Sequence, residues 1–233
     1  MATLPSTHRP DLAAAVGRRA VQVVLGTLLY LLLLFVGADR ASWGWGWAFA
    51  AVVIVQEVAS AVLLPADLIA ERGRMGAVER WDRTILALAT IPYMALPFVA
   101  GLDVRLGGSP PLPAWAQVAA LVVFALAQAW FTWAMVHNRF FSTAVRLQPE
   151  RGHVVETGGP YRYVRHPGYA GTMVGAFATA VALGSLYALV PAVVLVALFV
   201  ARTVLEDRKL RRDLDGYEAY ARRVRNRLLP GVW

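Results

Sequence analysis

HPGYAGTMVGAFATAVALGSLYALVPAVVLVALFVA, residues 166–201, is a run of 36 residues without a formally charged side chain. A single helix of that length would be about 54 Å long, whereas the hydrocarbon core of a bilayer is about 30 Å thick. The run must therefore fold back on itself, and Gly184-Ser185 is the turn-forming pair near its centre. The sequence predicts two short membrane helices, 168–183 and 186–202, joined in a tight hairpin.

Comparable apolar runs occur earlier in this chain of 233 residues, which is 58% hydrophobic and only 16% charged. Residues 20–38, 84–102 and 106–138 also lack Asp, Glu, Lys and Arg, and runs of about 18 or more such residues are typical of membrane-spanning helices. This composition excludes a soluble enzyme and a disordered chain. We predict an all-α, polytopic membrane helical bundle of about six transmembrane helices, near 18–37, 43–65, 84–101, 114–136, 168–183 and 186–202.

The basic residues orient this predicted bundle. Six spans place both termini on one side, and 21 of the 23 basic residues fall there, leaving only Arg40 and Arg105 on the other. The positive-inside rule assigns the richer side to the cytoplasm, so we expect an N-in/C-in topology. The basic surplus then reflects topology and attraction to membrane lipids, and no nucleic-acid partner is expected. The 22 arginines against one lysine, Lys209, suggest a GC-rich bacterium and its inner membrane.

The sequence predicts two regions. Residues 1–136 form an N-terminal four-helix membrane region, and residues 137–233 comprise a long polar loop, the helical hairpin and the tail, with most of the candidate site residues. Any water-accessible site should form on the cytoplasmic face, where the long loops 66–83 and 137–167 and the tail 203–233 meet. In the tail an apolar stripe recurs at spacings of four, three, four and three residues, and this predicts a C-terminal amphipathic helix. That helix would lie on the inner leaflet or act as a lid over a pocket. The stripe consists of Leu210, Leu214, Tyr217, Ala221 and Val224.

The most informative polar segment is GGPYRYVRHPGY, residues 158–169. Gly-Gly-Pro favours a turn, Pro167 suits the first position of a helix, and His166 resembles its N-cap. The free N–H groups of that helix start could bind an anionic or polar ligand group. The alternative interpretation is a helix start at the membrane interface, with aromatic anchors and topology-setting arginines.

Two carboxylates in apolar or basic surroundings are further candidates. Glu206 lies in a strongly basic stretch where the sixth helix ends, and it is either a ligand-binding group or half of a salt bridge. Glu57 lies inside the second predicted helix, and an intramembrane carboxylate is a functional candidate by default. Its alternative role is to pair with an arginine or to join two helices by a hydrogen bond.

Metal chemistry is not expected. The sequence has no cysteine, so it has neither disulfides nor cysteine-based metal sites. Its four histidines do not show the spacing of a metal-binding motif; they are His8, His137, His153 and His166.

The run PYRYVRHPGYAG, residues 160–171, is followed by the helical hairpin, then Glu206, then a tail with Tyr217, Tyr220, Val224 and Pro230. In this order the residues resemble the integral-membrane isoprenylcysteine carboxyl methyltransferase (ICMT) family over about residues 138–230. Phospholipid N-methyltransferases are similar in the same region. Leu68 to Arg72 and Trp81-Asp82 look like the family's inner loop.

The resemblance implies a pocket for S-adenosylmethionine (AdoMet) on the cytoplasmic side, without a Rossmann domain. Glu206 would hold the amino group of the cofactor, and Arg202, one turn earlier, would be the catalytic and substrate-binding residue that faces the methyl acceptor. The implied cofactor-binding residues are Gln148, His153, Val154, Val155, Glu156, Tyr161, His166, Pro167, Gly168, Tyr169 and Glu206.

The expected function is therefore methyl transfer from AdoMet to a lipophilic acceptor, either a small molecule or a lipid-anchored one. Because the cofactor brings an activated methyl group, the protein mainly has to bind, align and desolvate. A carboxylate acceptor needs no general base and could pair with Arg202, whereas an amine acceptor must lose a proton, with Glu57 or a tyrosine as the base. The alternatives are a phospholipid or amine N-methyltransferase, a non-catalytic binding or transport protein that keeps the pocket, and a nicotinamide-dependent reductase.

Overall fold

The structure, a computed structural model, describes residues 9–72 and 78–233. In these ranges it is all-α, with eight helices, two short 3₁₀ segments at Pro149–Arg151 and Gly159–Arg162, and no strand. This confirms the predicted helical bundle. The helices are α1 Arg9–Ala38, α2 Gly44–Leu63, α3 Ala66–Arg72, α4 Arg80–Leu106, α5 Ala114–His137, α6 Pro167–Ala182, α7 Leu189–Asp213 and α8 Tyr217–Arg223.

Five of the described helices, α1, α2, α4, α5 and α7, are long and apolar enough to cross a membrane. Their outward faces carry large exposed apolar side chains, such as Leu25, Val55 and Ile91, as expected for contact with lipid. The predicted segment 168–183 is present as α6, which has only 16 residues. Eleven of those 16 are buried, so α6 forms the centre of the bundle between α5 and α7.

The predicted turn between the last two membrane helices is confirmed at Gly184-Ser185. Gly184 has a φ of +75°, a backbone conformation that glycine adopts without steric cost. The N–H of Ser185 bonds to the carbonyl of Ala180 at 2.9 Å, which closes the end of α6. The Ser185 hydroxyl donates to Asp103 Oδ2 at 2.5 Å and accepts the N–H of Ala188, so it joins the hairpin to the end of α4.

Helices α1 and α4 cross in direct backbone contact at Gly37 and Gly101. A Cβ on Gly101 would lie 2.7 Å from the backbone nitrogen of Ala38, closer than real Cβ atoms approach other atoms. Small residues at helix crossings are a common device in membrane bundles, because dispersion contacts replace the hydrophobic effect there. The fully buried Leu34 and Phe49 fill the space beside this crossing.

The tail differs from the predicted single helix. Helix α7 continues to Asp213, well beyond the predicted end at 202, and the apolar stripe is divided between α7 and the short α8. Gly216, with a φ of +81°, makes the turn between them. Helix α8 is amphipathic, since Tyr217 and Tyr220 are buried while its arginines are exposed. It packs against Tyr161 as part of a hydrophobic cluster.

Candidate functional site

A cavity lies where the loop after α5, the start of α6, the end of α7 and α8 come together. It encloses about 840 Å³ of space, including its open mouth, which is within the range of small-molecule sites. The loop, the hairpin and the tail, separated in sequence, thus form one site. Ten of the eleven predicted cofactor-binding residues line it: His153, Val154, Val155, Glu156, Tyr161, His166, Pro167, Gly168, Tyr169 and Glu206.

The start of α6 forms one wall of the cavity. Pro167 is its first residue and His166 is at the N-cap position, although the His166 side chain makes no capping hydrogen bond. The imidazole instead stacks on the ring of Tyr169, with 5.6 Å between ring centroids. The first N–H groups of a helix have no carbonyl partner within it, so the amides of Gly168 and Tyr169 are available beside the cavity.

The C-terminal segment holds this helix start in place. The backbone N–H of Arg165 donates to the carbonyl of Asn226 at 3.0 Å, and that of His166 donates to the carbonyl of Arg227 at 2.9 Å. The Arg165 guanidinium also donates to the carbonyls of Val224 and Arg225 at 2.7 and 2.8 Å. The position of the His-Pro junction therefore depends on residues about 60 positions later in the chain.

The carboxylate of Asp207 is buried behind the cavity, with 1% of the residue's surface exposed, and it accepts hydrogen bonds from several segments of the chain. Its Oδ1 accepts from Nε of Arg165 at 2.8 Å and from the hydroxyl of Tyr217 at 3.0 Å. Its Oδ2 accepts from Nε of Arg211 at 3.1 Å and of Arg227 at 3.2 Å. Burial, reinforced by the Asp207 charge, raises the pKa of the Tyr217 phenol well above its ordinary value, so the hydroxyl stays a donor.

The arginines and the lysine that line the cavity are paired with carboxylates outside it. The pairs are Arg146 with Glu71, Arg165 with Asp207 at 2.8 Å, and Lys209 with Glu79 at 2.8 Å and Asp213 at 3.0 Å.

The two lining carboxylates, Glu156 and Glu206, are not neutralised in this way. Within the described ranges no arginine or lysine lies within 4.0 Å of either; the only nearby basic group is Nδ1 of His166, 3.8 Å from Glu206 Oε2. Glu156 accepts the backbone N–H groups of Thr157 and Gly158 at 2.9 and 2.6 Å. The cavity therefore presents two carboxylates without an arginine or lysine partner, and these suit a ligand with cationic groups.

Arg202, which is predicted to face the methyl acceptor, does not line this cavity. Its Nε donates to Asp82 Oδ1 at 2.7 Å and its terminal nitrogen donates to the carbonyl of Thr143 at 2.8 Å. The guanidinium lies over the ring of Tyr169, 5.0 Å from the centroid. The hydroxyl of Tyr169 in turn donates to Glu206 Oε2. The fully buried carboxylate of Asp82 thus holds Arg202 behind Tyr169, one residue away from the cavity.

Gln148 is the second predicted site residue that the structure does not bring to the cavity wall. Its amide is fully buried, where Nε2 donates to the carbonyl of Phe140 at 2.8 Å and Oε1 accepts from Arg151 at 2.7 Å. Its backbone N–H donates to Nδ1 of His153 at 3.3 Å, and the His153 ring packs on Phe140. Gln148 thus shapes the loop that carries His153 into the cavity.

Sequence reasoning did not single out Asp207, and it noted Asp82 only as part of a loop. A signal was present for Asp207, since two adjacent acids, Glu206 and Asp207, interrupt a basic stretch. A buried carboxylate requires cationic partners, and Arg165 in the conspicuous motif is one of them. In the described ranges, no group of three or more His, Asp or Glu residues could hold a metal ion.

Comparison with known proteins identifies the segment that builds this cavity. Residues 118–212 match the model of the isoprenylcysteine carboxyl methyltransferase (ICMT) family. This part of the chain is ICMT-like. The chain is also 34% identical over 111 residues to the protein-S-isoprenylcysteine O-methyltransferase of Schizosaccharomyces pombe. That alignment covers 46% of this chain and 47% of the yeast protein, so the chain spans about half the length of this curated relative. The ICMT-like segment contains every lining residue named above except those of α8.

Proposed function

We propose that the protein is an integral-membrane methyltransferase that transfers a methyl group from AdoMet to a lipophilic acceptor, as an ICMT does. The observation that carries the proposal is the pairing of charges at the cavity, where Glu156 and Glu206 have no arginine or lysine partner while the lining arginines and lysine are each paired with a carboxylate outside the cavity. AdoMet carries a sulfonium and an ammonium group, and this charge pattern complements both.

The residues present fit such a cofactor. Glu206 has one carboxylate oxygen bonded to Tyr169 and the other free of any hydrogen bond that the described structure shows, so it can accept an ammonium in a charge-assisted contact. The amides of Gly168 and Tyr169 at the start of α6 would bind the carboxylate of the cofactor. The aromatic residues Tyr161 and Phe140 supply apolar surface. AdoMet, when bound, supplies an activated methyl group on sulfur.

The chain's own task is then to align and desolvate the two reactants. Glu206 is fixed by the hydroxyl of Tyr169, and the ring of Tyr169 is fixed by the guanidinium of Arg202. We therefore assign Arg202 as a positioning residue that acts through Tyr169. The site lies where the α6–α7 hairpin meets the polar loops, so a lipid-dissolved acceptor and a water-soluble donor can meet there. We place this face on the cytoplasmic side of a bacterial inner membrane because of the arginine distribution.

Calorimetry on the purified full chain in detergent tests the cofactor assignment. We expect AdoMet and S-adenosylhomocysteine to bind, and Glu206→Gln to weaken AdoMet binding by about tenfold or more, since a hydrogen bond to a charged group contributes about 1.5–3 kcal/mol. The control is Asp215→Asn, which removes an exposed carboxylate in the turn before α8. Binding of NADPH in place of AdoMet, or equal effects of the two substitutions, would contradict the assignment.

Incubation with methyl-labelled AdoMet and a total lipid extract tests turnover. A base-labile labelled product indicates a methyl ester, as from a carboxylate acceptor, whereas a base-stable product indicates N-methylation, C-methylation or a methyl ether. AdoMet binding without transfer to any lipid would instead identify a non-catalytic membrane protein that retains the pocket.

A further inference from the structure

A second space lies inside the bundle, further along α6 than the cofactor cavity. It consists of two adjoining cavities of about 1,220 and 1,180 Å³, both partly open. All seven helices from α1 to α7 contribute to its walls. We call it the intramembrane chamber, and the residues common to both parts are Arg19, Val23, Glu57, Arg72, Gln128 and Phe131.

Three charged side chains face this chamber from three different helices. Glu57 is on α2, Arg19 on α1 and Arg72 at the end of α3, and all three are half-buried. No ion pair within 4.0 Å joins Glu57 to either arginine, and the described part of the chain offers neither arginine another carboxylate. Charged groups at membrane depth are costly and usually mark a ligand or ion pathway. Nη1 of Arg72 donates to Sδ of Met135, and none of the three side chains has an ion-pair partner within 4.0 Å in the described ranges, so one carboxylate and two guanidinium groups can contact a charged ligand.

Gln56, the residue before Glu57, joins two helices of the chamber wall. Gln56 Nε2 donates to the carbonyl of Gln128 at 3.1 Å and to the hydroxyl of Thr132, which fastens α2 to α5. With Gln56 used for this helix contact, Glu57 is left to face the chamber. The rest of the wall is mostly apolar and suits a hydrocarbon chain; it includes Val16, Ala20, Val24, Val58, Ala61, Leu64 and Ile69.

One pair of aromatic rings separates the chamber from the cofactor cavity. Phe131 lines the chamber and Phe141 lines the cofactor cavity, and their ring centroids are 5.5 Å apart. The guanidinium of Arg72 lies 5.7 and 5.2 Å from the two centroids. A polar group held at Arg72 is therefore close to the boundary between the two spaces.

We propose that the intramembrane chamber binds a zwitterionic amphiphile, with its anionic group at Arg19 and Arg72, its ammonium group at Glu57 and its tail along the apolar wall. A purely anionic headgroup would face the carboxylate of Glu57, and a purely cationic one would face two arginines. A headgroup with both charges complements all three residues. The assignment of this molecule as the methyl acceptor rests on the proposed function, whereas its binding does not.

Binding of short-chain lipids to the full chain in nonionic detergent, without AdoMet, tests the proposal. Three probes share the same tails: a phosphoethanolamine lipid, a phosphoglycerol lipid and a simple alkylamine lipid. We expect the phosphoethanolamine lipid to bind about tenfold more tightly than the other two, as for one well-formed charge-assisted contact. Glu57→Gln should abolish this preference over the phosphoglycerol lipid, and Arg72→Gln should weaken the binding of both phospholipids.

The control is Arg18→Gln, which removes an exposed arginine next to Arg19 that does not line the chamber. Equal affinity for the three probes, or an unchanged preference in Glu57→Gln, overturns the proposal. A photoactivatable phosphoethanolamine lipid provides a test that needs no variant, since crosslinks confined to residues outside the chamber also overturn it. Selective binding of the phosphoethanolamine lipid without AdoMet binding would support the chamber proposal and contradict the proposed function. AdoMet binding without selectivity among the three lipids would support the proposed function and overturn the chamber proposal.

Discussion

Asp82 and Arg202 join the beginning of α4 to the middle of α7 across 120 positions of sequence, with Nε of Arg202 2.7 Å from Asp82 Oδ1. Both side chains are buried, and Asp82 also accepts the backbone N–H of Val145 at 2.6 Å. We expect Asp82→Asn to lower the free energy of unfolding by about 3–5 kcal/mol, because it leaves a buried guanidinium without its counter-charge. Chemical or thermal unfolding in detergent measures this loss.

The matched control for Asp82→Asn is Asp39→Asn at the other end of the bundle. Asp39 also pairs with an arginine, Arg105, at 3.1 Å, but both side chains are more than half exposed. An exposed pair contributes less than about 1 kcal/mol, so this substitution should change stability little. Equal losses for the two variants would show that the buried pair is not the stronger one.

Asp207→Asn should release the C-terminal segment. The carboxylate holds Arg165, which in turn holds the carbonyls of Val224 and Arg225. We expect faster amide hydrogen exchange at residues 224–228, together with a loss of stability of at least about 3 kcal/mol, because several buried charges lose their partner. Tyr217→Phe removes one hydrogen bond to the same carboxylate and should lower stability by only about 0.5–1.5 kcal/mol. Unchanged exchange at residues 224–228 in Asp207→Asn would contradict this role.

His153 should make the cavity loop sensitive to mild acid. Burial lowers the pKa of its imidazole below the ordinary value of 6.5, and the nearby charge of Arg151 lowers it further. Because the folded-state pKa is depressed, the neutral ring stabilises the fold above about pH 6.5, and this contribution is lost as the pH falls through the lowered pKa. Protonation at Nδ1 also removes the acceptor for the N–H of Gln148.

Unfolding measured between pH 8 and 5.5 tests this dependence on His153. The wild-type protein should lose stability toward pH 5.5, and His153→Asn should show a smaller loss over the same range. The lower limit of pH 5.5 keeps the measurement above the ordinary titration range of exposed carboxylates. An identical pH profile for the two proteins would assign the sensitivity to another group.

Gly101→Ala should disrupt the crossing of α1 and α4. A Cβ there would meet the backbone of Leu34 and Ala38, which cannot move without separating the helices. We expect a loss of at least about 1–3 kcal/mol, as for overpacked cores. Gly17→Ala is the control, because nothing lies within 4 Å of a Cβ at Gly17, and alanine there should be neutral or stabilise α1 by up to about 1 kcal/mol. Similar behaviour of the two variants would show that the crossing tolerates a methyl group.

The fold could be predicted from sequence where a single physical rule decides it. The 36 uncharged residues from His166 to Ala201 cannot form one helix in a bilayer, and Gly184-Ser185 makes the turn as predicted. The end of α7 could not be predicted in this way. Charge predicts an end at Arg202, but Arg202 and Asp207 are buried with partners from other segments, and the helix continues to Asp213. A count of local charges cannot reveal such pairing, because the partners come from distant parts of the sequence.

The candidate site, like the fold, could be predicted from the sequence only in part. The motif around His166 and the acid at Glu206 belong to segments that are far apart in sequence, and both line one cavity. The roles predicted for Gln148 and Arg202 rest on their place in the pattern, and in the structure their side chains bond to the carbonyl of Phe140 and to Asp82. A pattern of residue types does not show which polar group is already bonded within the protein.

Helix α7 is a single unbroken helix of 25 residues, about 37 Å long, but its uncharged part, residues 189–201, is about 20 Å long and therefore shorter than the roughly 30 Å of bilayer hydrocarbon. Its apolar end is immersed in lipid while Glu206 and Asp207 are at its polar end, so both acids must move when the helix tilts. The thickness of the bilayer should therefore influence the geometry of the cavity. Reconstitution into lipids of graded chain length tests this dependence.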